Sequence, residues 1–116
     1  MNTETECFLQ ALLRLYPEAG EQYENIKKYG SVLETVVIED VFVPLIIDTI
    51  KKEENTELIK RIFELFEKTA NSYDQHLVDV FSTTILECLG NDVDILRKAK
   101  KYMGHVTYDL QLEADR

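Results

Sequence analysis

His76 and Asp79 stand three residues apart in "SYDQHLVDV", a spacing that puts both on one face of a helix. A histidine beside a carboxylate can act as a general base. The plainer reading is a solvated histidine near a helix start with an incidental carboxylate. Little else in the chain would complete a reaction centre. The second histidine, His105 in "MGHVTYD", has no His or Cys at a metal-ligating spacing, and neither does His76. Ser82 and Cys88 lie outside any GxSxG context. The chain has only four glycines and no P-loop, so no phosphate-cradling loop is visible. Cys7 and Cys88 are far apart in sequence, belong to no CxxC, and read as reduced, partly buried thiols. The expectation is a protein with no catalytic residues, no metal and no cofactor.

The remaining charged groups group by helix position. Glu53–Glu54 and the pair Asp92 and Asp94 fall where helices are expected to start, and negative charge is favoured there. Glu39–Asp40 precedes an apolar run. Lys27–Lys28, Lys51–Lys52 and "RKAKK" (Arg97–Lys101) lie toward expected helix C-termini, which favour cations. The last run could also hold a small anion. The formal net charge is −9, which would repel a nucleic-acid backbone from most of the surface. Residues 1–50 carry nine acids and three bases, whereas 51–116 carry thirteen acids and ten bases. The first half is therefore the better attractor for a basic partner, although acidity also serves solubility.

Hydrophobic residues make up 45% and charged residues 30% of the 116, the balance of one ordinary globular domain with its own core. No apolar run approaches the roughly 20 residues that span a bilayer. The acidic N-terminus lacks a basic leader. These features predict a cytoplasmic protein that binds neither membrane nor nucleic acid.

Helix punctuation organises the chain. Thr3 with Glu6 has the form of a capping box, followed by Phe8, Leu9, Leu12, Leu13 and Tyr16 at helical spacing. Pro17 closes that helix and opens a second one to Tyr29, with Ala19, Tyr23 and Ile26 on one face and Gly30 as its stop. Ser31 and Glu34 suggest another capping box, with Leu33, Val36 and Val37 as its stripe. Leu58, Ile59, Ile62, Leu65 and Phe66 define an amphipathic helix over about Thr56–Thr69. A further helix is expected from about Asp74 to Leu89, ended by Gly90. Asn91 would cap the next, which stops at Gly104, and Thr107 would cap a short final one.

"VFVPLIIDTI" (41–50) resists this scheme, because β-branched residues and a proline suggest a strand. An internal repeat answers for helix. "EDVFVPLIIDTI" and "VDVFSTTILECL" align 39 residues apart, so that Asp48 meets Glu87, and the following helices align after a two-residue loop deletion. A helix pair recurring at about 40 residues is the pattern of HEAT or armadillo stacking. The fold expected is all-α, six to seven helices in HEAT/armadillo-like stacked hairpins. Residues 1–30 would form an N-terminal helical pair, and 31–73 and 74–116 approximate helix-pair repeats. Pro44 fits if Asp40 caps a new helix, so a break or sharp kink is expected near Glu39–Val43. Apolar residues nearly encircle this helix, which predicts a buried central element. The other reading leaves Val43 and Ile47 as an exposed ridge for binding or self-association.

The stretch "LIKRIFELFEKTANSYDQHLVDVFSTTILECLGND…LRKAKKYMG", with Glu87, Leu89, Gly90, Met103 and Gly104 at its helix ends, resembles a family of small all-helical bacterial proteins of unknown function. The resemblance covers about residues 55–104. Such proteins are similar in size and charge to the immunity proteins of contact-dependent and polymorphic toxin systems. The resemblance implies a non-enzymatic binding protein that covers a toxin domain. It carries no functional residues onto this sequence. An acidic protein would gain association rate against a basic toxin domain, and Glu18, Glu21, Glu24, Asp40, Asp48 and Glu87 are the acids expected to do this. The alternative is a helical-repeat adaptor that self-associates, or grips a partner helix, through Val43 and Ile47. A monomer and a homodimer both remain open, and an enzyme built on His76 and Asp79 is a third reading.

Overall fold

Helical hydrogen bonding prevails over β-branched composition all along residues 34–52. In the computed structural model, which describes residues 3–28 and 34–115, this segment is one continuous helix and no strand occurs among the described residues. The expected stop at Gly30, the cap at Ser31 and the stripe residue Leu33 lie outside the described residues, as do the side chains of Lys27 and Lys28.

Seven helices occur among the described residues. Helix α1 is Thr3–Leu15; a 3₁₀ turn at Pro17–Ala19 leads into α2, Gly20–Lys28. Pro17 occupies the first turn, where its missing N–H costs no hydrogen bond. Helix α3 (34–52) consists of an α-helical turn Glu34–Val37, a π-helical stretch Ile38–Phe42 and an α-helix Val43–Lys52. Helix α4 is Thr56–Ala70. Helix α5 (75–90) again has three parts, Gln75–Phe81, a π-helical stretch Ser82–Leu86, and Glu87–Gly90. Helices α6 and α7 are Val93–Lys100 and His105–Ala114.

The break or sharp kink expected near Glu39–Val43 is a π-helical widening at Ile38–Phe42, after which Pro44 stands in the first turn of the α-helix Val43–Lys52. The chain passes Pro44 by widening its turn, with the Val43 N–H reaching back five residues to the Ile38 carbonyl. Proline clashes with the carbonyl four residues before it and cannot donate to it. A π turn moves that carbonyl aside without ending the helix. Asp40 is accordingly an exposed residue within the π stretch and caps nothing.

Several expected caps move as well. Asp74 caps α5, accepting from the His76 and Leu77 amides, and Asn55 caps α4 by accepting from Leu58 N at 3.1 Å. Asp92, not Asn91, caps α6, which ends at Lys100 well short of Gly104. An Asp side chain there can bond two amides at once, and it does, at Asp94 N and Ile95 N. Thr3 is already helical at the edge of the described residues. Glu53 does not start a helix. It ends α3 in the left-handed region, at φ 50°, a conformation uncommon for a non-glycine residue. Its carboxylate accepts from Lys101 Nζ at 2.7 Å and Tyr102 OH at 2.8 Å, which holds the turn.

Thr107 is not the cap of α7; it is buried in that helix's first turn. The cap comes from another helix. Glu67 of α4 accepts from Val106 N (3.1 Å), Thr107 N (2.8 Å) and Thr107 Oγ1 (2.8 Å), satisfying amides that a helix start leaves unpaired. Gly104 leaves room beside it, since a Cβ there would lie 2.6–2.7 Å from the Glu67 carboxylate oxygens and would push that side chain off the amides it caps.

One continuous apolar cluster joins the helices. Its aromatic spine runs from Phe8 of α1 to Phe81 of α5 (ring centroids 6.0 Å apart), to Phe66 (5.1 Å) and on to Phe63 of α4 (5.0 Å). Tyr23 and Phe42 join α2 to α3. Helix α4 lies along both α1 and α7, α6 lies on the second half of α3, and α3 meets α5 where their π stretches touch. The radius of gyration is 13.4 Å, about that of a compact chain of this length.

Candidate functional site

Helix α2 is amphipathic, and burial of Ala19 and Tyr23 turns Glu18, Glu21 and Glu24 to solvent. It packs on α3 through buried Tyr23 against Phe42, and at the surface Gln22 Nε2 donates to the Asp40 carbonyl at 3.5 Å. Pro44 has no N–H to return to that carbonyl, so a side chain from α2 supplies a donor. Helix α3 buries Val41, Phe42, Ile46 and Ile50 and leaves Asp40, Pro44 and Asp48 exposed. The 3₁₀ turn, α2 and α3 thus present Glu18, Glu21, Glu24, Asp40 and Asp48 to solvent.

Tyr16 marks where the two sets meet. Its hydroxyl lies 2.7 Å from Thr49 Oγ1. Burial is the main cause that raises its pKa; the Thr49 hydrogen bond opposes it, and the charges of Glu18 and Asp48 add to it. Asp48 also pairs with Lys52 at 3.2 Å on the surface. Glu87 belongs to a different neighbourhood. It and Glu39 both raise the Cys88 thiol, after burial as the leading cause. Asp48 and Glu87, matched in the repeat, therefore each have a different acidic neighbour.

Val43 is 7% exposed and Ile47 is half-buried against the core, so this chain covers most of the expected apolar ridge. The His76–Asp79 pair does not form. His76 Nε2 contacts Glu34 Oε1 of α3, while Asp79 accepts from Gln75 Nε2 at 2.8 Å. His105 lies on the exposed start of α7, 3.6 Å from Asp109. No group of three or more His, Cys, Asp and Glu that could hold a metal occurs among the described residues.

The basic run Arg97–Lys101 does not converge on an anion site either. Lys98 Nζ donates to the Lys51 carbonyl at 2.7 Å, closing the end of α3, and Lys101 binds Glu53. Arg97 faces Asp94, and Lys100 lies over the Tyr108 ring. The cations are used to cap a neighbouring helix.

A second surface had no sequence signal. An open cleft of about 520 Å³ lies between α1 and the end of α4. Phe8, Ala11, Leu65 and Leu77 contribute its apolar lining, and Arg14 and Lys68 its cations. Tyr73, 90% exposed, stands at one end with its hydroxyl donating to Glu4 Oε1 at 3.3 Å. Arg14 and Lys68 are 54 residues apart in sequence, in unrelated helices, and only packing of α1 on α4 brings them to one groove.

Among the described residues no helix is long and apolar enough to cross a membrane. Comparison with curated proteins and with solved structures gave no match. A family model covers residues 9–115, nearly the whole helical array, and its description carries no activity. The chain belongs to the family described as Domain of unknown function (DUF7674).

Proposed function

We propose that the protein is a non-enzymatic binding module that uses its acidic α2–α3 surface to capture a basic protein partner. The observation that carries this reading is the shared exposure of Glu18, Glu21, Glu24, Asp40 and Asp48 on the 3₁₀ turn, α2 and α3. Carboxylates gathered on one surface raise the encounter rate of a cationic partner and disfavour acidic ones. The partner class follows from the resemblance to immunity proteins: a basic toxin domain whose active site this protein covers. Glu87, placed with Glu39, extends the negative field along α5. In the same reading, 31–73 and 74–116 are two helix-pair units of HEAT-like descent. The support for that is the π stretch carried by the first long helix of each.

The test uses the protein encoded immediately upstream of this chain's gene. The expected result is a one-to-one complex that suppresses growth arrest on co-expression. The triple variant E18K/E21K/E24K should associate roughly tenfold more slowly at low salt, with a flatter salt dependence. No complex, or equal association rates for both forms, would overturn the reading.

A further inference from the structure

We propose that the cleft between α1 and α4 docks an acidic amphipathic helix of about three turns supplied by a partner protein. This surface shares no residue with the acidic α2–α3 surface and asks for the opposite charge.

The Tyr73–Glu4 hydrogen bond brings the segment after α4 to the start of α1, and the cleft runs along α1 from Glu4 to Arg14 with the end of α4 and residues 71–77 on its other side. From Glu4 to Arg14, α1 advances about 15 Å at 1.5 Å per residue, which matches about ten residues of a bound helix. The groove between two packed helices accepts side chains spaced i, i+3 or i+4, and i+7. Partly exposed Ala11 and Leu65 offer those side chains an apolar lining, above a floor formed by buried Phe8 and Leu77.

Charge selects the occupant. Lys52, Arg61, Arg97 and Lys101 have carboxylate partners within the chain, whereas exposed Lys60 has none among the described residues but lies outside the cleft. Arg14 and Lys68 are exposed and make no ion pair or hydrogen bond with any described residue. Both line the cleft. The chain carries nine net negative charges, so acidic surfaces are repelled at long range; within the cleft Arg14 and Lys68 outnumber its one carboxylate, Glu4, whose Oε1 is engaged by the Tyr73 hydroxyl, and this local excess favours an acidic helix there. Tyr73 supplies an exposed aromatic ring already fixed at the rim, the residue type that most often anchors an interface.

The experiment uses a capped probe peptide of about fourteen residues with leucines at helical i, i+3, i+7 spacing and glutamates beside them, and its lysine counterpart. Fluorescence anisotropy gives affinity, and amide chemical shifts give location. The expected result is shift changes confined to residues 4–15 and 65–77. The lysine peptide should bind about tenfold more weakly or worse. R14E/K68E should reverse the preference, rescuing the lysine peptide while weakening the glutamate one. Y73A, at a position 90% exposed whose one hydrogen bond is long and solvent-exposed, should weaken binding with little change in thermal stability. Equal binding of both peptides, shift changes elsewhere, no binding by either, or a concentration-dependent dimer blocked by R14E/K68E would overturn the proposal.

Discussion

Helices α3 and α5 solve one problem in two ways. Each is a long helix interrupted by a five-residue π stretch, Ile38–Phe42 in one and Ser82–Leu86 in the other. In α3 the wide turn has a covalent cause, since Pro44 follows it and lacks an N–H. In α5 there is no proline. There two consecutive threonines bond back, Thr83 Oγ1 to the Asp79 carbonyl at 2.8 Å and Thr84 Oγ1 to the Val80 carbonyl at 2.6 Å; single bonds of this kind at Thr49 and Thr69 leave an ordinary α-helix, and the pair accompanies the wide turn. In the repeat frame the two stretches are offset by five residues, so the widened turn is common to both helices but its position is not.

A glutamine from another helix attends each stretch. Gln22 of α2 reaches Asp40 O at 3.5 Å from an exposed position, at the long limit for such a bond. Gln111 of α7 is wholly buried and donates to Leu86 O at 2.9 Å and to Asp115 Oδ1 at 2.9 Å. The same chemistry thus counts for little at the surface and much in the core, because only in the core does a lost donor leave a carbonyl without water.

The largest effect is expected at Gln111. Q111M keeps the volume and removes the donor, but it also removes the buried, unpaired Oε1, so the net loss should be about 1–2 kcal/mol in urea unfolding. A loss below about 0.5 kcal/mol would show that the Leu86 carbonyl has no need of it. Next comes Glu67, which seats the helix carrying Gln111. Burial alone would raise its pKa. The hydrogen bonds from Thr107 N and Oγ1 and Val106 N, helped by the His105 charge, outweigh burial and lower it. A lowered folded-state pKa gives stability that is present above the ordinary glutamate value of 4.5 and lost as pH falls through the folded value. E67Q should therefore cost about 1 kcal/mol at neutral pH and flatten the acid side of a stability-versus-pH curve. A parallel acid limb in wild type and variant would contradict the cross-helix cap.

The smallest effect is expected around the first π stretch. Q22A should change stability by no more than about 0.5 kcal/mol. P44A restores an N–H and should let the Ile38–Phe42 turn tighten, which hydrogen exchange at residues 42–45 would show as new protection. If α3 keeps its π turn without Pro44, packing against α5 is the cause and the contrast between the two helices fails.

Much of the fold was legible in sequence because it is written locally. Helical spacing, Pro17 at a first turn and Asp74 at a helix start concern neighbours within a turn or two, and the 39-residue echo of "VFVPLIIDTI" compares two such local patterns. The misses share one cause. Asn91 and Asp92 are both competent caps, and the side chain that faces the amides is settled by backbone direction. Thr107 was expected to cap α7 because a threonine precedes a polar helix; Glu67, forty residues earlier, took that role instead. Arg97–Lys101 gave a plausible anion site until α6 packed against the end of α3 and consumed two of its lysines. His76 met Glu34, forty-two residues away in sequence, in place of Asp79 one turn along.

The sequence by itself determined an all-helical chain, its negative charge, most helix limits, and which side of each helix is apolar, since 3.6-residue periodicity and caps act over a few residues. The tertiary structure alone decided which helices adjoin. It also decided that a proline is passed by a π turn, that Val43 is covered, and that Arg14 and Lys68 line one cleft. Those outcomes depend on contacts between residues tens of positions apart, and a pattern with a period of four residues holds no record of them.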